Sequence, residues 1–300
     1  MSFSLVTYTA SGPPMLGVHV AGRVADATTT LAPLLDVGDG MLAVLDRWDE
    51  ALTLLQSLAE AAAAGRATTL ALDEVRLLAP LPRPVNLYCA FANYVDHMLE
   101  MGGTPADKTQ EDPFLFQTPV TAVVGPDGLI VIADGQDAVD YEGELAAVIG
   151  REARNLSVDE ALSVVAGYTI VHDVSIRRGA RRGANGGRPD FLASKGRASF
   201  KPMGPWIVPA AFVPDPQALR LRTWVSGALK QDSSTAQMIF TTAEQIAHVS
   251  QLTGVVPGDV FATGTPAGVG MPRGDFLKPG DTVEIEIEGI GRLRNPVVAE

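Results

Sequence analysis

Two acidic residues interrupt a run of apolar and β-branched residues that is typical of a strand, Val139 to Ile149. They are Glu142 and Glu144. Because alternate residues of a strand point to the same side, their carboxylates should project together, roughly 6–7 Å apart along the chain. A second apolar run, Tyr168 to Val174, contains Asp173 in a comparable position. Carboxylates in such places must be solvated, protonated or paired with a cation, and this requirement constrains the fold.

Two interpretations of these carboxylates are open from the residues alone. Spacing by itself favours the first, in which Glu142 and Glu144 form the solvated face of an edge strand. In the second, both glutamates and Asp173 hold a hard divalent ion such as Mg²⁺, with water or substrate oxygens completing its coordination.

Composition limits the classes of protein to which the chain can belong. Of its 300 residues, 46% are hydrophobic and 19% charged, enough for a substantial core in one large domain or two smaller ones. The 35 acidic and 23 basic residues give a net charge of -12, which argues against a nucleic acid or a membrane as partner. The single cysteine, Cys89, excludes an intramolecular disulfide and lies in an apolar run, so we expect a buried core thiol.

No segment predicts export or membrane insertion. The N-terminus lacks a basic stretch followed by an apolar one, and no run of about eighteen apolar residues occurs. We therefore expect a cytoplasmic protein.

The order of turn and helix signals predicts a small N-terminal domain, residues 1–80, and a larger one, residues 84–300. Short strands are expected over residues 3–33. Apolar residues at helical spacing from Leu45 to Ala64 predict a helix that ends at Gly65. Three prolines between Leu78 and Pro84 mark the linker.

His97 and Glu100 lie three residues apart in a segment with helical character, so they should share one face. A carboxylate that accepts a hydrogen bond from an imidazole raises the basicity of that imidazole. This suits a general base that takes a proton from water. The alternative is a surface helix pair worth roughly a few tenths of a kcal/mol. The glycines that follow, Gly102 and Gly103, predict a mobile loop, so this helix could belong to a lid.

Two later glycine-rich segments bear on ligand binding. Gly179 to Asp190 predicts an exposed loop, and Lys195 beyond it would ordinarily be a solvated charge. Val256 to Gly270 contains glycines that permit close backbone approach, and Thr265 could present its hydroxyl to an anionic ligand. No Gly-Lys-Ser/Thr follows these glycines, which argues against nucleotide binding.

Six motifs in order make the chain resemble the fumarylacetoacetate hydrolase family from about Pro84 to Val298. The motifs are Asn93-Tyr94-x-x-His97-x-x-Glu100, Asp140-Tyr141-Glu142-Gly143-Glu144-Leu145, His172-Asp173-Val174-Ser175, Lys195 seven residues before Pro202, Pro202-Met203-Gly204-Pro205-Trp206, and Pro257-Gly258-Asp259 running into Thr263-Gly264-Thr265-Pro266. The resemblance implies an α+β, predominantly β fold. Its mixed sheets would form a β-roll or sandwich behind a small N-terminal α/β domain, usually in a homodimer.

The resemblance also implies a metal site, a catalytic dyad with a lysine, and residues that hold the substrate. The Mg²⁺ or Mn²⁺ ligands would be Glu142, Glu144 and Asp173, the catalytic residues His97, Glu100 and Lys195, and the substrate-binding residues Tyr94, Arg177, Gln231 and Thr265.

The chemistry that these residues predict is carbon–carbon bond hydrolysis. Family substrates are commonly 2-oxo or 2,4-dioxo acids, and a dication with an ammonium group would stabilise the enolate that cleavage leaves. The leading hypothesis is a divalent-metal-dependent hydrolase that splits an acylpyruvate or fumarylpyruvate-like acid into pyruvate and a carboxylic acid. One alternative is a lyase of the same family, namely an oxaloacetate-type decarboxylase, an isomerase or a 2-oxo acid dehydratase. Another is a non-catalytic metabolite-binding homologue.

Several positions depart from the family pattern. Gln117 stands where a lysine is common, Gly196-Arg197-Ala198 stands where Ser-Phe-Asp is usual, and Ser226 replaces a frequent asparagine. These positions lie in or near the substrate region as the resemblance places it. We therefore expect an unusual substrate, and the added arginines of this region, such as Arg178 and Arg197, favour one that is larger or more anionic.

Overall fold

The computed structural model of the protein describes residues 1–36, 38, 40–178, 181–182 and 188–300. The predicted loop from Gly179 to Asp190 lies largely outside these residues. The strands are β1 Ser4–Thr9, β2 Met15–Val20, β3 Arg23–Asp26, β4 Thr69–Ala71, β5 Arg76–Leu77, β6 Leu87–Ala90, β7 Leu115–Gln117, β8 Val123–Val124, β9 Ile130–Ile132, β10 Val139–Asp140, β11 Gly143–Ile149, β12 Val165–His172, β13 Ser175–Ile176, β14 Arg181–Arg182, β15 Arg188–Pro189, β16 Lys201–Pro209, β17 Arg220–Val225, β18 Ala228–Ser234, β19 Val260–Ala262, β20 Thr282–Ile287 and β21 Gly291–Ala299. The α-helices are α1 Thr28–Leu31, α2 Met41–Asp46, α3 Trp48–Ala63, α4 Val95–Glu100, α5 Val158–Ala161, α6 Phe191–Lys195 and α7 Thr242–Leu252.

One large mixed sheet runs through both halves of the chain. Its strand order is β4-β3-β2-β1-β16-β12-β11-β19-β6-β7, with β5 beside β1 and β8 beside β16. Strand β1 joins β16 in antiparallel register at Leu5 and Ile207, whereas β19 and β6 run parallel. The N-terminal strands are therefore hydrogen-bonded to strands from the second half. The division into residues 1–80 and 84–300 stays a prediction.

A second sheet packs against one face of the first, in the order β18-β17-β20-β21-β9. Leu145 of β11 and Ile285 of β20 lie in the buried cluster between the two sheets. Val148 of β11 points to the other face, where it shares a cluster with Leu55 of α3. Both faces of the central strands are covered, and the predicted predominantly β, mixed-sheet fold is confirmed.

Strand β11 lies inside the large sheet, between β12 and β19. Antiparallel register pairs Gly143 with His172 and Glu144 with Val171, and every residue of β11 and β12 is buried. The edge-strand interpretation of the carboxylates is therefore wrong, because a central strand covered on both faces has no solvated side. The single strand predicted here is also two strands, since β10 and β11 leave residues 141–142 between them.

The N-terminal helix forms close to its predicted position. The prediction from Leu45 to Ala64 corresponds to the last residues of α2 and to α3. Trp48, Leu55 and Ala59 share one buried face of α3 and pack against the sheet. The chain leaves the helix at Gly65 with a φ of +69°, a conformation that glycine adopts without strain. Among the described helices, none is long and apolar enough to cross a membrane.

A Gly143→Ala substitution is expected to lower the free energy of unfolding by about 1–3 kcal/mol, the usual cost of overpacking a close-packed interior. A Cβ atom there would lie 2.6 Å from Thr223 Oγ1 and 3.0 Å from Ile285 Cγ2, both on the second sheet. Urea unfolding measures the difference. Gly12→Ala is the matched control, because a Cβ at Gly12 meets no atom within 4 Å. Equal effects at both positions would contradict the close contact between the sheets at Gly143.

Candidate active site

The three carboxylates predicted to bind a metal converge at one end of the central strands. Glu142 precedes β11, Glu144 lies in it, and Asp173 follows β12. One carboxylate oxygen from each lies within 4.8 Å of the other two, and the residues are only 4%, 1% and 0% exposed. The Asp173 amide donates to the Glu142 carbonyl over 2.9 Å, so the pairing of the two strands extends into the cluster and holds its geometry.

A buried lysine and a partly buried arginine compensate part of this negative charge. Lys195 Nζ donates to Glu142 Oε2 and to Asp173 Oδ2, over 2.5 Å in each case. The Arg177 guanidinium donates to Asp140 Oδ2 over 2.8 Å and also pairs with Glu142. Burial acts to raise the pKa of Glu142, but Arg177 and Lys195 outweigh it and hold that pKa below its ordinary range. Glu142 is therefore ionised.

Glu144 differs from the other two carboxylates in its partners. It accepts a hydrogen bond from the Gly264 amide over 2.9 Å, but within the described part of the chain it pairs with no lysine or arginine. Burial, followed by the charges of Asp173 and Glu142, raises its pKa well above the ordinary value. Asp173 Oδ1 accepts no aligned hydrogen bond from the described residues, but it lies 2.7 Å from Lys201 Nζ. A buried carboxylate without a lysine or arginine partner, clustered with two others, fits a hard divalent ion such as Mg²⁺ or Mn²⁺.

His97 and Glu100 form a hydrogen-bonded pair on α4. His97 Nδ1 lies 3.0 Å from Glu100 Oε1, and the Gly268 amide donates to the same carboxylate over 2.9 Å. The side chains are only 12% and 20% exposed, so an exposed surface pair does not describe this geometry. Burial acts to raise the pKa of Glu100, but the hydrogen bonds from His97 and Gly268 lower it overall, and the carboxylate is ionised.

The predicted substrate-binding residues lie around the carboxylates. They differ in whether their polar groups already have hydrogen-bond partners. Tyr94 is 0% exposed, and its hydroxyl has no hydrogen-bond partner among the described residues. Gln231 donates to Thr265 Oγ1 over 2.8 Å and accepts from the Gly143 amide over 3.0 Å. Thr265 donates to the Gly143 carbonyl over 2.9 Å. Gln231 and Thr265 thus brace the backbone between the two glutamates. Contact with substrate stays a prediction for these residues and for Arg177.

Two buried charged residues at the site were not predicted from the sequence. Lys201 begins β16, is 0% exposed, and places its Nζ 2.7 Å from Asp173 Oδ1. Asp140, also 0% exposed, accepts from the Gly270 amide over 2.6 Å. In both cases a charged residue within an apolar run was the sequence feature that could have identified them. The expected buried thiol is confirmed, because Cys89 is 0% exposed and burial raises its pKa.

Comparison with known proteins places this geometry in a family. Residues 86–298 match the family described as Fumarylacetoacetate (FAA) hydrolase C-terminal, and residues 23–83 match Fumarylacetoacetase N-terminal domain 2. A mitochondrial oxaloacetate tautomerase of Xenopus laevis is 41% identical over 228 residues, which are 75% of this chain and 69% of that protein.

Two solved structures are similar to the protein over almost its whole length. The fumarylacetoacetate hydrolase of Exiguobacterium antarcticum has a TM-score of 0.81 at 32% identity and covers 99% of this chain and 100% of its own. Maleylpyruvate hydrolase of Sphingobium sp. SYK-6, in complex with manganese(II) and pyruvate, has a TM-score of 0.79 at 28% identity and covers 100% and 99%.

The mixed sheets enclose a buried carboxylate cluster, and an imidazole and a lysine lie beside it. This combination is that of an enzyme that can hold a divalent metal. The chain belongs to the fumarylacetoacetate hydrolase family, and the resemblance that six motifs predicted is confirmed.

Proposed function

We propose that this enzyme forms and consumes the enolate of a 2-oxo acid with the help of a divalent metal. The observation that carries the proposal is the buried carboxylate cluster beside a lysine and an imidazole, in which Glu144 has no lysine or arginine partner among the described residues. Mg²⁺ or Mn²⁺ held by the three carboxylates would supply a Lewis acid for the negative charge that develops on the 2-oxo group.

Lys195 contributes a fixed positive charge to the same enolate. Burial acts to lower its pKa, but the charges of Asp173 and Glu142 outweigh burial and raise that pKa above the ordinary value. The ammonium group therefore stays protonated, and it serves neither as a base nor as a nucleophile toward the ketone. A cation held in a buried site stabilises developing charge without having to reorganise.

His97 carries the proton. Glu100 holds Nδ1 of the imidazole, and Gly268 holds Glu100, so proton transfer falls to Nε2. An imidazole oriented in this way can take a proton from carbon 3 of the bound acid, or return one.

Keto–enol tautomerisation of an oxaloacetate-like acid is the first candidate reaction. It requires only that a proton move between the enol oxygen and carbon 3. The sequence suggested an isomerase as an alternative to a hydrolase. We place the isomerase reaction before hydrolysis for one reason. The relative that is 41% identical is named an oxaloacetate tautomerase, whereas the hydrolase structures are 28% and 32% identical.

Hydrolysis of a 2,4-dioxo acid is the second candidate, and the oriented His97–Glu100 pair favours it. His97 would take a proton from water, and the hydroxide would add to the distal carbonyl. Cleavage of the carbon–carbon bond would leave its electron pair on the pyruvate half as an enolate, which then takes up a proton. Decarboxylation of oxaloacetate would use the same enolate without water.

Product analysis tests the proposal. Metal-stripped protein, with and without Mg²⁺, is given enol-oxaloacetate and, separately, an acylpyruvate. A tautomerase accelerates loss of the enol without releasing CO₂, and a hydrolase converts the acylpyruvate into equimolar pyruvate and carboxylic acid. Release of CO₂ from oxaloacetate would indicate a decarboxylase. Tight binding without turnover of either acid in Mg²⁺ would contradict the proposal and favour the metabolite-binding alternative.

The assembly and the location of the enzyme are proposals as well. We propose a homodimer that acts in the cytoplasm on a small-molecule 2-oxo or 2,4-dioxo acid. Light scattering of the purified protein tests the dimer.

A further inference from the structure

Lys201 is a fully buried lysine that takes no part in the proton transfer. Its exposure is 0%. Nζ lies 2.7 Å from Asp173 Oδ1, donates to the Phe200 carbonyl over 3.1 Å, and donates to the Lys195 carbonyl. Nζ thus donates to two backbone carbonyls and forms an ion pair with one carboxylate oxygen. Because an unpaired buried ammonium is costly, this full set of partners marks a built site for the charge.

The register of the central sheet puts Lys201 opposite Asp173. Strands β12 and β16 are antiparallel and pair Val171 with Met203. Two residues on from this pair lie Lys201, the first residue of β16, and Asp173, the residue directly after β12. The backbone of the sheet therefore brings the two charges together, and neither depends on a flexible loop for its position.

Two lysines hold Asp173, one at each carboxylate oxygen. Lys195 Nζ lies 2.5 Å from Oδ2, and Lys201 Nζ lies 2.7 Å from Oδ1. Oδ1 accepts no aligned hydrogen bond from the described residues, so its lone pairs remain available to a metal ion. Lys201 also holds the carbonyl of Lys195, the last residue of α6. One ammonium group thus anchors both a carboxylate of the cluster and the backbone that carries the other lysine.

We propose that Lys201 is a positioning residue, a tethered cation that fixes Asp173 as a metal ligand and Lys195 as a charge carrier. This inference rests on the proposed metal function of the cluster. A lysine that acted only as a nearby charge would have the opposite effect, because a positive charge repels a dication beside it. The sign of the change on removing Lys201 therefore separates the two roles.

Lys201→Met, which keeps the length of the side chain and removes its charge, tests the proposal through Mn²⁺ binding. Electron paramagnetic resonance of free Mn²⁺ gives the Kd of metal-stripped protein without any turnover. We expect binding to weaken about 10–100-fold, the usual effect of losing a group that orients a metal ligand. A role as charge alone gives tighter binding. Lys278→Met, at an exposed lysine, is the matched control and should leave the Kd unchanged.

A second variant keeps the test decisive. Lys201→Gln can still donate to some of the same oxygens, so we expect a Kd between those of wild type and Lys201→Met. Circular dichroism and the urea midpoint identify folded variants. Unchanged or tighter Mn²⁺ binding by folded Lys201→Met overturns the proposal. Failure of both variants to fold also overturns it, since Lys201 would then serve the stability of the sheet. Absence of Mn²⁺ binding by the wild-type protein is a separate result, which defeats the metal function itself.

Discussion

Glu144→Gln is expected to reduce kcat/KM by about 10³-fold or more, because a metal ion supplies several kcal/mol of charge stabilisation and each 1.36 kcal/mol is tenfold in rate. Glu144 has no lysine or arginine partner among the described residues, so its charge serves the cation rather than an ion pair. A buried carboxylate without a cation is costly, and an amide of the same shape is cheaper to bury. The metal-free variant should therefore be at least as stable as the metal-free wild type.

Steady-state kinetics and urea unfolding of the same preparations separate these two effects. Glu152→Gln, at an exposed glutamate, is the control and should change neither quantity. Loss of activity together with a large loss of stability would mean that Glu144 holds the sheet together, and it would remove the reason to assign a metal to the cluster.

His97→Ala is expected to lower kcat by about 10²–10⁴-fold, the usual contribution of a positioned general acid or base. Mn²⁺ affinity should be unchanged, because His97 donates no ligand to the carboxylate cluster. Glu100→Gln should have a smaller effect, since it keeps the imidazole but replaces the charged acceptor that orients it.

The kinetic comparison needs a second histidine as control. His248 lies on α7 and is partly buried, as His97 is, so His248→Ala serves this purpose and should leave kcat unchanged. A wild-type kcat in His97→Ala would exclude the imidazole as the proton carrier and return the His97–Glu100 pair to a structural role.

Short-range geometry explains which parts of the site could be predicted from the sequence. His97 and Glu100 are one helical turn apart, and Glu142 and Glu144 lie on either side of Gly143, so local spacing alone brings each pair together. The end of α3 could also be predicted from neighbouring residues, because Gly65 comes just after the helix.

Long-range pairing explains what could not be predicted. Whether β11 is an edge strand or a central one depends on β19, more than a hundred residues later. Lys201 meets Asp173 only because β16 pairs with β12. Gln231 reaches the Gly143 amide only because the second sheet packs over the first. Spacing within one segment carries no information about these partners, and it therefore favoured exposed carboxylates where the structure has buried ones.

Exchange of the methyl protons of pyruvate for deuterium tests the central claim most directly, because it reports enolate formation whether the natural reaction is tautomerisation, hydrolysis or decarboxylation. Proton NMR in D₂O follows the methyl signal with metal-stripped protein before and after Mg²⁺ is added. We expect exchange that requires Mg²⁺, is abolished in Glu144→Gln and is slowed in His97→Ala. Exchange no faster than with Mg²⁺ in buffer, or equally fast in all three proteins, would contradict metal-assisted enolate formation at this site.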